Sequence, residues 1–363
     1  MLLAQSYVNT LDPVALPIAG EFAIRWYGLA YLIGFLAGYL LLRRLLRSGR
    51  MGMPPELLDD FVTTMIVAVL VGGRLGHVLF YDRPMLWAVG SSFPFWEPLA
   101  FWRGGMSSHG GILGVILGCF WWGRRRGVPG WHALDLVAFV CPIGLGLGRL
   151  ANFINGELVG RALPESLRDA PPWWSVKYPG EILERGFPIE SLAPLAENFD
   201  AATRATIESS RDPAWSLAVA VYQGAIKGTP SLVEGVAPLL TPRYPSQLAQ
   251  AFTDGILLPI ALAVVWRRPR VAGVVSAWFA IAYGALRFLT EQIREIDEGV
   301  WIPMGLTLPM WLSLILVGVG IVLLLTIGRR SGPIFGGAWG PAGSTAAAVH
   351  RRGDGPGSDP LGG

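Results

Sequence analysis

The ionisable side chains that stand inside or beside long apolar stretches of this sequence are Arg74, His77, His109, Arg149, Glu157, Arg287 and Glu291. A charge in apolar surroundings is costly, and it persists where it has a partner or a task. Arginine can hold a phosphate through two parallel hydrogen bonds, and histidine is the side chain that ordinarily exchanges a proton near neutrality. The chemistry on offer is therefore anion binding coupled to proton transfer. The densest cluster is Gly148–Arg161, GRLANFINGELVGR. Arg149 supplies a delocalised cation, Asn152 and Asn155 amides, and Glu157 a carboxylate, while Gly156 and Gly160 let the backbone turn or pack closely. Such a cluster suits the headgroup of an anionic phospholipid. A polar helix cap with one salt bridge would account for Arg149 and Glu157 but not for both asparagines.

The elements that must carry these residues are apolar. The 363 residues are 52% hydrophobic and 15% charged, against about 25% charged in a soluble chain, and the mean hydropathy is +0.46. With 47 glycines and 15 tryptophans, as suits close helix packing and interfacial aromatic belts, this composition describes an all-α polytopic membrane protein. The net charge of +3 does not point to nucleic acid, because the basic residues come in short clusters between apolar runs. Cys119 and Cys141 sit inside apolar runs without metal-binding spacing, so neither a disulfide framework nor a zinc site is expected. The first 22 residues lack a basic stretch and a continuous apolar core, so a cleaved signal peptide is not expected.

Spanning a bilayer takes roughly 20 largely apolar residues. Seven runs read as spans: Trp26–Leu42, Phe61–Tyr81, Gly104–Gly123, Leu136–Gly148 (short as an uncharged run and continuing into Arg149), Tyr244–Trp266, Val271–Leu286 and Val300–Gly328. Arg43–Arg50, Arg124–Arg126, Arg267–Arg270 and Arg329–Arg330 follow the first, third, fifth and seventh runs. Positive loops stay in the cytoplasm, which places the N-terminus outside and the C-terminus inside. Residues 1–160 then form a membrane domain of four spans, 161–243 an external insert, 244–330 three further spans and 331–363 a disordered cytoplasmic tail. The 83-residue insert carries ten acidic and eight basic residues. Within it, Trp173–Trp174 is expected at headgroup level and Ser216–Ile226 as a short interfacial helix. On this topology Tyr27, His109, Arg149, Glu157, Arg287 and Glu291, from four separate parts of the chain, converge on the outer leaflet.

GRLANFINGELVG resembles the signature of the prolipoprotein diacylglyceryl transferases, with Gly148, Arg149, Asn152, Phe153, Asn155, Glu157 and Gly160 in register. RWYGLAYLIGF (Arg25–Phe35), MSSHGG (Met106–Gly111) and GGRLGHVLFY (Gly72–Tyr81) are similar to further family motifs. So is YGALRFLTEQIR, which carries Tyr283, Arg287, Glu291 and Arg294. Three features depart from the family: Ala249 and Gln250 follow Pro245–Leu248 in place of Tyr-Glu, Leu306 stands in place of a glutamine, and the insert is longer.

The resemblance implies transfer of the diacylglyceryl group of phosphatidylglycerol to the lipobox cysteine thiol of a prolipoprotein signal peptide, in the bacterial inner (plasma) membrane. That reaction needs a thiolate nucleophile and stabilisation of a leaving phosphate, and no cofactor or metal is expected. Arg149 and Arg287 are assigned to the phosphate and His109 to the thiol proton. Tyr27, Asn152 and Glu157 would orient the headgroup or hold the arginines, and Asn155, Gly160 and Tyr283 would contribute to substrate binding. Arg74 and His77 read as structural bridges from the second span. Two other readings use the same residues, namely a lipid transporter and an inactive relative that binds lipoproteins or lipid. A transporter would place ionisable groups at several depths rather than crowding one leaflet.

Overall fold

The computed structural model describes residues 6–19, 22–90, 95–100, 105–296, 303–327 and 334–337. The expectations for Arg329–Arg330 and for most of the tail lie outside these. Among the described residues there are eleven α-helices: α1 Trp26–Arg47, α2 Leu58–Phe80, α3 Ser108–Arg126, α4 Gly130–Asn155, α5 Ala201–Glu208, α6 Pro213–Ile226, α7 Pro230–Val236, α8 Ser246–Phe252, α9 Leu258–Val265, α10 Val274–Glu291 and α11 Leu308–Ile327. A π-helical turn, Thr253–Leu257, joins α8 to α9, so that Ser246–Val265 runs as one helix.

A helix occupies each of the seven apolar runs, and among the described residues five helices are long and apolar enough to cross a membrane: Trp26–Arg47, Pro55–Phe80, Gly130–Asn155, Ser246–Val265 and Leu308–Ile327. The protein is thus a largely helical, polytopic membrane protein. The other two of the seven runs lie on α3 and α10, whose apolar stretches are shorter and bear His109 with three terminal arginines, and Arg287 with Glu291, respectively. The chain is also not purely helical. Strand β1 (Tyr7–Val8) pairs in parallel with β4 (Val176–Lys177), β2 (Val14–Ala19) with β3 (Phe22–Arg25), and β5 (Arg270–Val271) with β6 (Ile334–Phe335). Within the segment expected to be disordered, therefore, Ile334–Phe335 forms a strand. Phe335 is buried, stacks on His132 with centroids 4.5 Å apart and accepts a hydrogen bond from Trp266 Nε1.

Two compact units divide the chain. The first comprises Met1–Phe35, Pro142–Leu257 and Tyr283–Ile315, and the second Leu36–Cys141, Leu258–Ala282 and Leu316–Gly363. In the second unit α2 and α3 approach through glycines, with a Cβ added to Gly76 meeting the Gly110 Cα at 2.6 Å. Such contact needs residues without side chains. The carboxylate of Asp135, on α4, accepts hydrogen bonds from Gly273 N, Ser276 N and Ser276 Oγ. It caps α10 from a different helix and satisfies donors that every helix start leaves open.

In the first unit, the insert has a core of its own. Ile182, Leu192, Leu217, Ala218, Val221, Ala225, Leu232, Val236 and Leu240 are buried together. The helix expected at Ser216–Ile226 is present as α6, but its apolar residues Leu217, Ala218, Val221 and Ala225 face this core. It is the central helix of the insert rather than an interfacial one, because the surrounding short helices offer it a protein surface to bury against. Trp173 is exposed, while Trp174 stacks on Tyr244 at 5.7 Å between centroids.

Candidate active site

α4 continues past the apolar run Leu136–Gly148 to Asn155, so Arg149, Asn152 and Asn155 all lie on its last turns. It ends because Gly156 adopts φ +67°, the left-handed conformation that glycine takes without strain. Gly156 N then donates to Phe153 O and Glu157 N to Asn152 O, the paired bonds that close a helix on a left-handed glycine. This turn sets Glu157 beside the asparagines, and Asn155 Nδ2 donates to Glu157 Oε1 at 3.2 Å. Asn152 is buried and Glu157 exposed.

The loop that follows is held from several sides. Gln247 Nε2 donates to Glu157 O at 2.8 Å, Ser246 Oγ to Leu158 O at 3.1 Å, and Tyr178 Oη to Gln247 Oε1 at 3.0 Å. Burial pushes the Tyr178 hydroxyl above its ordinary range, so it remains a donor. These contacts hold Leu158 at φ +55°, a conformation rare for a branched side chain. Arg161 N donates to Ile293 O and Glu295 N to Val159 O, joining the loop to the segment after α10. Gly160 lies so close to Tyr244 O that a Cβ there would collide with it.

Two arginine centres result. Arg149 Nε contacts Asp254 Oδ2 at 3.3 Å, with side-chain exposures of 16% and 1%. Arg287 Nη2 lies 2.9 Å from Glu291 Oε2, and Arg294 Nη1 3.5 Å from the other oxygen, with the Glu291 side chain 5% exposed. Arg287 Nη1 is buried and makes no hydrogen bond among the described residues. The two centres sense each other, since Arg149 and Arg287 repel and Asp254 attracts both. Tyr283 is within electrostatic reach of Arg149. On α1, Tyr27 packs edge-on against Tyr31 with centroids 5.2 Å apart, and Tyr31 is within electrostatic reach of Arg149.

Of the residues singled out in the sequence, the first unit thus contains Tyr27, Arg149, Asn152, Asn155, Glu157, Gly160, Tyr283, Arg287 and Glu291. His109, Arg74 and His77 belong to the second. His109 is exposed on the first turn of α3, one residue before Gly110, whose N–H donates to the capping Ser107. Arg74 is buried and donates to the carbonyls of Glu97, Pro98 and Gly105. His77 stacks on Tyr81 at 5.9 Å between centroids.

Asp254, Ser246, Gln247 and Tyr178 are further members of this site that the motifs alone do not single out. Asp254 was visible as the single charge in the run Tyr244–Trp266, the same signal that marked the other candidates. Of the departures from the family pattern, Gln250 is the one in a demanding place. It is buried one turn before Asp254, and its Nε2 makes no hydrogen bond among the described residues.

Residues 13–326 match the family described as prolipoprotein diacylglyceryl transferase. The chain is 38% identical over 338 residues to the phosphatidylglycerol–prolipoprotein diacylglyceryl transferase of Bdellovibrio bacteriovorus, an alignment covering 89% of this chain and 95% of that protein. The corresponding proteins of Chromobacterium violaceum, 35% identical with 88% and 96% covered, and Burkholderia thailandensis, 36% identical with 88% and 96% covered, are similar over the same extent. With helices apolar enough to span a membrane and a match running through nearly its whole described length, the chain belongs to the prolipoprotein diacylglyceryl transferase family.

Proposed function

We propose that the protein transfers the diacylglyceryl group of phosphatidylglycerol to the lipobox cysteine thiol of prolipoproteins, the first step of bacterial lipoprotein maturation. It would work in the inner membrane with seven spans, the N-terminus and the insert 161–243 outside and the C-terminal tail in the cytoplasm. The site would open to the outer leaflet, where an exported prolipoprotein presents its thiol.

The sulfur attacks the glycerol carbon that bears the phosphate ester. The carbon–sulfur bond forms as the carbon–oxygen bond breaks, and glycerol phosphate leaves with the electron pair. His109 takes the thiol proton, since the thiolate is the nucleophile. Arg149 and Arg287 meet the charge that develops on the leaving phosphate. Tyr27, Asn152 and Glu157 orient the headgroup and the guanidiniums, with Asn155, Gly160 and Tyr283 completing its binding site.

Family membership supports diacylglyceryl transfer. The observation that supports the assignment to these residues is the buried Arg287 Nη1 without an acceptor among the described residues, in a unit that also holds Arg149. Buried donors are nearly always paired, and a phosphate oxygen is the partner that would complete this one.

The test is purified protein in detergent, given phosphatidylglycerol and a lipobox peptide. Release of glycerol phosphate with formation of the thioether is expected. Lipid or peptide binding without release would make the protein an inactive binding relative instead.

A further inference from the structure

We propose that Asp254 is a positioning residue that holds Arg149 in the orientation required by the leaving phosphate; this rests on the transfer reaction proposed above. Three observations converge on it. Its side chain is 1% exposed and contacts Arg149 Nε through Oδ2. It sits in the π-helical turn Thr253–Leu257, an irregularity that tends to occur at functional sites. It lies next to Gly255, which packs against Gly146 of α4, so the backbones of the two helices are in contact beside the ion pair.

The geometry distinguishes orientation from simple charge neutralisation. Asp254 contacts Nε, the guanidinium nitrogen nearest the backbone, so the tip of the fork is the part that meets an incoming phosphate. A buried ion pair is poor evidence for stability, because desolvation offsets much of the attraction. A carboxylate beside two arginines also reduces the site's attraction for an anion. Its presence is a cost to headgroup binding, and fixing a long, flexible cation is the benefit that offsets it. Misplacement of a catalytic group by about 1 Å can lower a rate by roughly 100-fold.

This predicts a split between kcat and KM. Asp254→Ala makes the site more positive but leaves Arg149 unheld. Its kcat should fall by roughly 10- to 100-fold, while KM for phosphatidylglycerol stays unchanged or decreases. Asp254→Asn retains an oxygen that can accept from Arg149 Nε, and its kcat should fall between those of wild type and Asp254→Ala. Thermal unfolding in detergent is measured alongside; if the alanine variant does not fold, Asp254→Asn decides through the same split. A kcat for Asp254→Ala within twofold of wild type overturns the proposal. So does a rise in KM that accounts for the loss in kcat/KM, which would indicate a merely structural role. Wild-type protein that releases no glycerol phosphate overturns the underlying reaction and this role with it. Active wild type with an unimpaired alanine variant overturns the role of Asp254 alone.

Discussion

Gly146 of α4 and Gly255 of the π-helical turn meet backbone to backbone: a Cβ added to Gly146 would lie 2.5 Å from the Gly255 Cα. One turn further along α4 stands Arg149, and immediately before Gly255 stands Asp254. Two glycines without side chains thus bring together two charges separated by 105 positions in the sequence. Gly146→Val should force these helices apart, costing roughly 1–3 kcal/mol of stability, and separate the ion pair. Thermal unfolding in detergent and glycerol phosphate release should fall together. Unchanged values in both assays would show that the contact is dispensable.

Arg149→Ala and Arg287→Ala should each abolish turnover. Arg149→Lys should recover little, because an ammonium is a point charge and cannot reproduce a planar bidentate fork. Initial rates with phosphatidylglycerol and a lipobox peptide decide it, and near wild-type rates in either alanine variant would move the phosphate site elsewhere.

Asp135→Ala should destabilise the protein without touching the arginines. It strands the N–H groups of Gly273 and Ser276 in a buried environment, at a cost of about 2–4 kcal/mol in all. Asp135→Asn, whose amide oxygen can still accept from Ser276 while its NH2 leaves Gly273 N without an acceptor, should cost less. The order of unfolding temperatures, wild type above asparagine above alanine, is the measurement. An alanine variant as stable as wild type would mean that the cap is replaced by water.

Cysteine accessibility checks the proposed orientation. After Cys119 and Cys141 are replaced, a cysteine at Trp173 should react with an impermeant reagent in cells whose outer barrier is opened. A cysteine at Gly127, beside Arg124–Arg126, should react only after lysis. An insert labelled only after lysis would invert the orientation and leave the site facing the wrong compartment for an exported thiol.

The membrane character, the positions of the helices and the family were legible in the sequence because each is a local property. Hydropathy accumulates within one segment, and GRLANFINGELVG is a single continuous stretch whose glycine ends a helix and whose asparagines and carboxylate flank that end. Tyr27, Arg149 and Arg287 were likewise recognisable one at a time, as polar groups in apolar or motif-bearing runs. Only the tertiary structure decided which partner each group takes. Arg149 pairs with Asp254, 105 positions away, Tyr178 of the insert reaches Gln247, and the apolar face of α6 is buried in the insert rather than in lipid. The physical reason is that hydropathy registers the cost of placing a residue out of water, whereas pairing depends on how closely helices approach. That approach is set by side chains that are absent, at Gly146 and Gly255, as much as by those present.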